Sequence, residues 1–261
     1  MTGAGAPRSL AGRLVLVTRP ADQSAGLVAL LRKRGATAIV APAIEIAPAR
    51  SAELTRALGQ LAAGEFDWMS LTSRATVDML ARRLHSPVDV RTRVATIGDG
   101  TAAAFRRWSH RPPDLQPSTF TTAALARAFP RGRGRVLCLR ADIAPEGFEA
   151  ALAAKGWTPT RVDAYRTRMP RTLPPEARAA LKEGRVDAIT FTSASTVRGF
   201  VGALGVVRGS PKVVCIGPVT SREARARGLR VAAVATPHTI EGLMDALERA
   251  LGRRNRSRSD S

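Results

Sequence analysis

The sequence predicts an α/β protein made of two similar lobes, each a parallel sheet flanked by helices. Three observations lead there. Short, nearly continuous apolar runs alternate with amphipathic stretches, a pattern of parallel strands buried on both faces and separated by helices. The chain repeats itself at a spacing of about 120 residues. Its 261 residues, 44% of them apolar, suffice for two ordinary cores.

The strand candidates, in order, are "RLVLVT" (13–18), "TAIVA" (37–41), "DWMSLT" (67–72), "RVATIG" (93–98) and "RVLCLR" (135–140). They continue with "TRVDAY" (160–165), "DAITFT" (187–192), "KVVCIG" (212–217) and "RVAAVA" (230–235). Helical patterns follow most of them. The clearest are "ADQSAGLVALLRKRG" (21–35), "SRATVDMLARRL" (73–84) and "PHTIEGLMDALERAL" (237–251), with apolar residues three and four apart.

The repeat is most visible where "DWMSLTSRATVDML" (67–80) returns as "DAITFTSASTVRGF" (187–200). Asp67, Thr72, Ser73, Thr76 and Val77 become Asp187, Thr192, Ser193, Thr196 and Val197 without a gap. "IGDGTAAAF" (97–105) meets "IGPVTSREA" (216–224), and "STFTTAAL" (118–125) meets "TPHTIEGL" (236–243). Upstream, "GRLVLV" (12–17) meets "GRVLCL" (134–139). Four landmarks in one order predict two copies of a single α/β unit.

In parallel sheets of this kind ligands bind beyond the carboxyl ends of the strands. The repeated polar residues stand there. Thr72–Ser73, Thr192–Ser193–Ser195, Gly98–Thr101 and Gly217–Thr220 occupy turns that lead from a strand into a helix. Ser and Thr in such turns cap helices, and the first-turn N–H groups with the positive end of the helix dipole suit a carboxylate or phosphate. Ordinary capping accounts for any one of these turns. Recurrence in both halves, beside an arginine surplus, favours an anionic ligand.

The formal charge is +20, and only four of the 41 basic residues are lysine (Lys33, Lys155, Lys182, Lys212). Two origins stay open for so much arginine: a GC-rich genome, or a polyanionic partner. Arginine is spread along the whole chain, and aromatic residues are only 4%, which gives little for base stacking. No specific nucleic-acid partner is therefore expected. The only cysteines, Cys138 and Cys215, lie in strand-like runs and read as small buried hydrophobes. With no disulfide framework and no apolar run of membrane-spanning length, a cytoplasmic location without membrane association is expected. Residues 1–11 read as a disordered lead-in without a signal-peptide core, and 253–261 as a solvated basic tail. The histidines (His85, His110, His238) show no metal-ligand spacing, and "RGRGR" (131–135) precedes a strand rather than following one. Neither a metal nor a cofactor is expected.

"LVLVTRP" (14–20), a Thr-Ser turn in each half, "IGDGTA" (97–102), "DAYRT" (163–167) and "CIGPVT" (215–220), in that order, resemble the uroporphyrinogen-III synthase family. The resemblance runs over roughly 12–251, and "RADIAPEG…GW…DAYRT" (140–167) looks like the synthase portion of versions fused to a methyltransferase. It implies two α/β lobes joined by a two-stranded extended linker, one lobe inserted into the other. Residues 1–41 with 169–252 would form the first lobe, 49–159 the second, and 42–48 and 160–168 the linkers. Each copy of the repeat would then donate its first strand and helix across the lobe boundary. A cleft lined by Ser73, Thr101, Ser193 and Thr220 is expected.

The resemblance also implies a cofactor-independent cyclising lyase acting on hydroxymethylbilane, a linear tetrapyrrole with eight carboxylates; a monomer is expected, independently of the resemblance. Water is lost, the terminal ring is inverted and the macrocycle closes to uroporphyrinogen III. Tyr165, the only tyrosine, matches the family tyrosine credited with assisting hydroxyl departure; packing between the linkers is the alternative role. Thr101 and Thr220 match the threonines of the two Gly-Thr turns, so Gly98, Thr101, Gly217 and Thr220 join Ser73, Ser193 and Ser195 as candidate substrate-binding residues. Arg19 and its repeat counterpart Arg140 follow strand ends and are candidate partners for substrate carboxylates. Arg74 and "GPVT" (217–220) depart from the usual family pattern. Without Tyr165, the same features would describe a non-enzymatic two-lobed binder of an anionic small molecule.

Overall fold

A computed structural model describes residues 9–84 and 91–252. Those residues form ten strands: β1 (Leu14–Val17), β2 (Thr37–Val40), β3 (Glu45–Pro48), β4 (Trp68–Leu71), β5 (Arg93–Thr96), β6 (Arg135–Ala141), β7 (Thr158–Arg168), β8 (Ala188–Phe191), β9 (Lys212–Cys215) and β10 (Val231–Val234). Between them lie ten α-helices: α1 (Ala25–Lys33), α2 (Ala52–Ala62), α3 (Arg74–Arg83), α4 (Asp99–Ser109), α5 (Thr122–Ala128), α6 (Phe148–Ala153), α7 (Pro175–Lys182), α8 (Ala194–Gly202), α9 (Pro218–Ala226) and α10 (Ile240–Leu251). All nine strand-like runs read from the sequence are strands.

The chain divides into two units. One comprises the residues up to 45 and from 168 on; the other comprises 46–167. The first holds a five-stranded sheet in the order β10-β9-β8-β1-β2, parallel throughout. The second holds the order β3-β7-β6-β4-β5, in which β7, β6, β4 and β5 run parallel. The stretches 42–48 and 160–168, expected as linkers, contain β3 and most of β7, neighbouring strands of the second sheet.

Both sheets are covered on both faces, which is why their strands read as continuous apolar runs. In β1, Leu16 joins one apolar cluster, with Phe191, Phe200 and Leu181, while Val15 and Val17 join another, with Leu31, Leu243 and Leu247. In the second unit Met69, Leu71, Leu137 and Leu139 pack on one side. Trp68, Val136 and Cys138 pack on the other, with Phe129, Leu152 and Trp157.

The internal repeat becomes three-dimensional here. β8 and β9 occupy the places in the first sheet that β4 and β5 occupy in the second, and β1 and β2 correspond to β6 and β7. The first strand, helix and strand of each copy therefore lie in the unit built mainly from the other copy. Asp67 and Asp187 repeat one task. The carboxylate of Asp187 accepts the N–H of Leu14 (2.8 Å), and that of Asp67 accepts the N–H of Arg135 (2.8 Å), each tying a strand start to its neighbour. Strand register also refines the alignment. Val15 pairs with Ala188 and Val136 with Trp68, so Val15 corresponds to Val136, one residue out of step with the "GRLVLV"/"GRVLCL" match. This register makes Arg19 and Arg140 counterparts.

Leu10 corrects the expected lead-in. It is fully buried, and its N–H donates to the Arg34 carbonyl (3.0 Å), so residues 9–11 belong to the fold. Residues 1–8, His85 and the tail 253–261 lie outside the described residues. Cys138 and Cys215 are free and buried, and burial pushes both thiols up to about 12, consistent with inert hydrophobes. No helix among the described residues is long and apolar enough to cross a membrane.

Gly199 marks a close approach inside the first unit. A Cβ there would overlap the backbone carbonyl of Ala43, which cannot swing aside as a side chain could. Gly199→Ala is expected to cost about 1–3 kcal/mol through forced backbone movement, read as a lower urea midpoint at unchanged slope. An unchanged midpoint would mean that this approach relaxes freely.

Candidate functional site

The site candidates lie at the carboxyl edges of the two sheets, and the repeat presents them twice. In the second unit β4 ends at Leu71 and Ser73 caps α3, its Oγ accepting the Thr76 N–H (3.2 Å). In the first unit β8 ends at Phe191 and Ser193 caps α8 with the same bond at the same length. The cap dihedrals nearly coincide: φ −155° and ψ 154° at Ser73, φ −161° and ψ 160° at Ser193.

The Gly-Thr turns agree as closely. Gly98 (φ −171°, ψ 173°) and Gly217 (φ −172°, ψ 178°) precede α4 and α9, and Thr101 and Thr220 are the third residues of those helices. Both threonines are largely buried, at 6% and 4% exposure, so only a small part of either can reach a ligand. The Ile97 N–H bonds to the Leu71 carbonyl and the Ile216 N–H to that of Phe191. Each unit thus sets two helix starts side by side on adjacent strands, where first-turn N–H groups and helix dipoles add.

Two residues overlooked in the sequence stand over these glycines. Phe120 packs on Gly98, where a Cβ would lie 3.0 Å from its ring, and His238 occupies the matching place over Gly217, at 3.5 Å. The His238 Nδ1 lies 2.8 Å from the Ala235 carbonyl, which places the ring. The signal was present in the paired "STFTTAAL" and "TPHTIEGL", where Phe120 and His238 align.

Tyr165 sits in β7 where the β6–β7 register shifts, and opposes Ala141. Its ring belongs to the core of the second unit, and its hydroxyl donates to Ser73 Oγ at 3.0 Å. The structure thereby joins the catalytic candidate to a binding-turn candidate. Burial raises the phenol above its ordinary value near 10. The Ser73 hydrogen bond and Arg140 oppose that rise, and Asp142 adds to it. Asp142, absent from the sequence-based candidates, staples this strand end. Its Oδ1 accepts the N–H groups of Thr167 and Ile143 (both 2.9 Å), and its own N–H donates to the Tyr165 carbonyl (3.2 Å).

The two arginines separate. Arg19 is half-buried just past β1, and its carbonyl accepts the Ser24 hydroxyl. Arg140 departs from the expectation of a strand-end group facing ligand: it is 1% exposed within β6. Its Nη1 pairs with Glu149 (2.8 Å), its Nη2 donates to the Pro145 carbonyl (3.1 Å), and the Phe148 ring lies 5.2 Å from its guanidinium. A charge enclosed this way is committed to its own unit. Arg74, flagged as a departure, is half-exposed at the start of α3 and faces Asp78 (3.6 Å). Among the described residues no group of His, Cys, Asp and Glu could hold a metal ion.

Comparison with known proteins agrees with this architecture. The family model described as uroporphyrinogen-III synthase HemD matches residues 25–245. The uroporphyrinogen-III synthase of Synechococcus elongatus is 32% identical, the match covering 93% of this chain and 97% of that one. The porphyrin biosynthesis protein HemD of Ruminiclostridium josui is 31% identical over 92% of this chain, which spans 49% of that longer protein. A crystal structure of a mutant uroporphyrinogen III synthase from Thermus thermophilus shares the fold, with a TM-score of 0.64, 23% identity, and coverage of 92% of this chain and 98% of that one. With a family model matched over most of its length and a relative 32% identical across nearly all of both chains, this chain belongs to the uroporphyrinogen-III synthase family.

Proposed function

We propose that this chain is a uroporphyrinogen-III synthase, closing hydroxymethylbilane to uroporphyrinogen III with loss of water. The observation that carries the reading is the near end-to-end match to the Synechococcus relative. The site chemistry supports it. A substrate with eight carboxylates calls for several anion-binding turns, and the paired helix starts at each unit's sheet edge support that use. We assign the turns at Ser73, Gly98 and Thr101 in one unit, and at Ser193, Ser195, Gly217 and Thr220 in the other, to holding those carboxylates through their backbone N–H groups, with Arg19 adding positive charge. Arg140 is left out of this set, because its guanidinium is enclosed by Glu149, Pro145 and Phe148.

The reaction needs little acid–base chemistry from the protein. As the hydroxymethyl C–O bond breaks, its electron pair leaves on oxygen, and the pyrrole nitrogen supplies the push that forms an azafulvene-type cation. Tyr165 donates its proton toward the departing oxygen, which leaves as water. To invert the terminal ring, its substituted α-carbon attacks the cation. The bridge bond which that carbon already carries then breaks and re-forms at the ring's free α-carbon, and the proton lost as the ring regains aromaticity restores the phenol. Most of the acceleration comes from holding a flexible chain in the inverted, ring-closing geometry.

The deciding experiment incubates the protein with hydroxymethylbilane and resolves the product isomers. Isomer III in excess is expected; isomer I alone, the product of unassisted closure, would overturn the assignment. Salt dependence follows from the same reading. Raising ionic strength is expected to increase KM for the polycarboxylate more than it lowers kcat, because screening acts on charge attraction rather than on the committed step. A KM that ignores salt would assign the arginine surplus to composition alone.

A further inference from the structure

We propose that Ser73 is the positioning residue for Tyr165, fixing where the phenolic hydroxyl is presented, and that Ala75 keeps Ser73 available for this task. The proposal rests on the assignment of Tyr165 to hydroxyl departure. A serine oxygen has two lone pairs and one proton. Ser73 Oγ accepts from Tyr165 Oη (3.0 Å) and from the Thr76 N–H (3.2 Å), and lies 3.0 Å from Thr76 Oγ1, toward which its own proton turns. All three capacities are engaged. The phenol ring is held in the apolar core and Ser73 fixes its oxygen; to reach the departing oxygen the phenol proton turns away from Ser73 Oγ.

The repeat supplies a control within the same molecule. In the matching turn Ser193 Oγ also takes the Thr196 N–H (3.2 Å), but its further partner is Ser195 Oγ (3.0 Å). The residue corresponding to Ser195 is Ala75. Where the turn offers its own second hydroxyl, the cap serine is occupied locally. Ser73, beside Ala75, receives Tyr165, whereas the unit of Ser193 contains no tyrosine. The two turns share backbone geometry; besides the Tyr165 contact, they differ in that Thr196 Oγ1 completes a capping box with the Ser193 backbone. When the Tyr165 O–H bond breaks and its proton completes the departing water, the electron pair stays on the phenolic oxygen. The Ser73 proton then turns from Thr76 toward that oxygen.

Tyr165 is the only tyrosine in the chain, so the ultraviolet phenolate band reports this residue alone and needs no substrate. The charged groups facing the phenol are Asp142 from the loop after β6, which disfavours phenolate, and Arg140 from β6, which favours it. In folded protein, checked by circular dichroism at each pH, Ser73→Ala is expected to move the phenolate midpoint upward. Ser73→Thr should restore it. Ala75→Ser, which keeps the helix cap, should move it upward by giving Ser73 a competing partner. With substrate, Ser73→Ala and Ala75→Ser are expected to lower kcat roughly tenfold, the kinetic equivalent of one hydrogen bond, with little change in KM. Neither should lower it further in a Tyr165→Phe background. An unmoved midpoint in both Ser73→Ala and Ala75→Ser, or kcat losses that persist undiminished without the Tyr165 hydroxyl, would overturn the proposal. Absence of cyclising activity in the wild type would strike at the functional reading instead, while the titration still decides whether Ser73 governs Tyr165.

Discussion

Tyr165→Phe is expected to lower the rate of hydroxymethylbilane consumption roughly 10²-fold while isomer III remains the dominant enzymatic product. Only the hydroxyl is removed. The ring stays in the core of the second unit, so the fold and the carboxylate turns remain and KM should change little. Thr101→Ala and Thr220→Ala should each cost less, because the backbone N–H groups at their turns survive the substitution. The phenol is held above its ordinary value near 10, chiefly by burial. It therefore carries its proton throughout the neutral range, and the kcat profile should show no descending limb from this group below that value. Steady-state assay of Tyr165→Phe with isomer resolution checks the effect. Wild-type turnover would remove the hydroxyl from the chemistry and leave the turns of the two units as the catalyst.

Glu149→Ala is expected to be the most destabilising single change at the edge of the second sheet, at about 3 kcal/mol. Arg140 is enclosed at 1% exposure, so removing Glu149 leaves a buried guanidinium beside the Pro145 carbonyl and the Phe148 ring without its carboxylate partner. Glu149 itself keeps 17% exposure, which places the effect at the low end for a buried pair. The converse, Arg140→Met, leaves a carboxylate that reaches water and should cost less. Urea unfolding of both variants measures the asymmetry. An equal loss in the two would show that packing, not the stranded charge, dominates. Neither side chain is assigned to substrate, so isomer III formation by the folded fraction should persist in both.

The sequence by itself determined nine of the ten strands, because strands covered on two faces must be apolar along their whole length; β3, at the edge of the second sheet, read only as a linker. It also determined the pairing of turns at Ser73 and Ser193 and at Gly98 and Gly217. A strand-to-helix turn draws on few residue types, and duplication wrote them twice at constant spacing. The exchange of first strands between copies was implied by the family resemblance, not by the repeat alone.

What only the tertiary structure decided concerns partners distant in the chain. Arg19 and Arg140 are counterparts, yet a glutamate nine residues further on encloses Arg140, and no local pattern announces that enclosure. Leu10 looked like part of a flexible start because burial depends on the turn at Arg34 and on α10 packing around it. Ser73 and Tyr165 stand 92 residues apart. Their hydrogen bond exists because β6 lies between β4 and β7 and the register shift near Ala141 brings the phenol to the start of α3. Spacing along a chain records which residues a fold repeats; the meeting of two hydroxyls across a sheet depends on strand order and register, which are properties of the packed molecule.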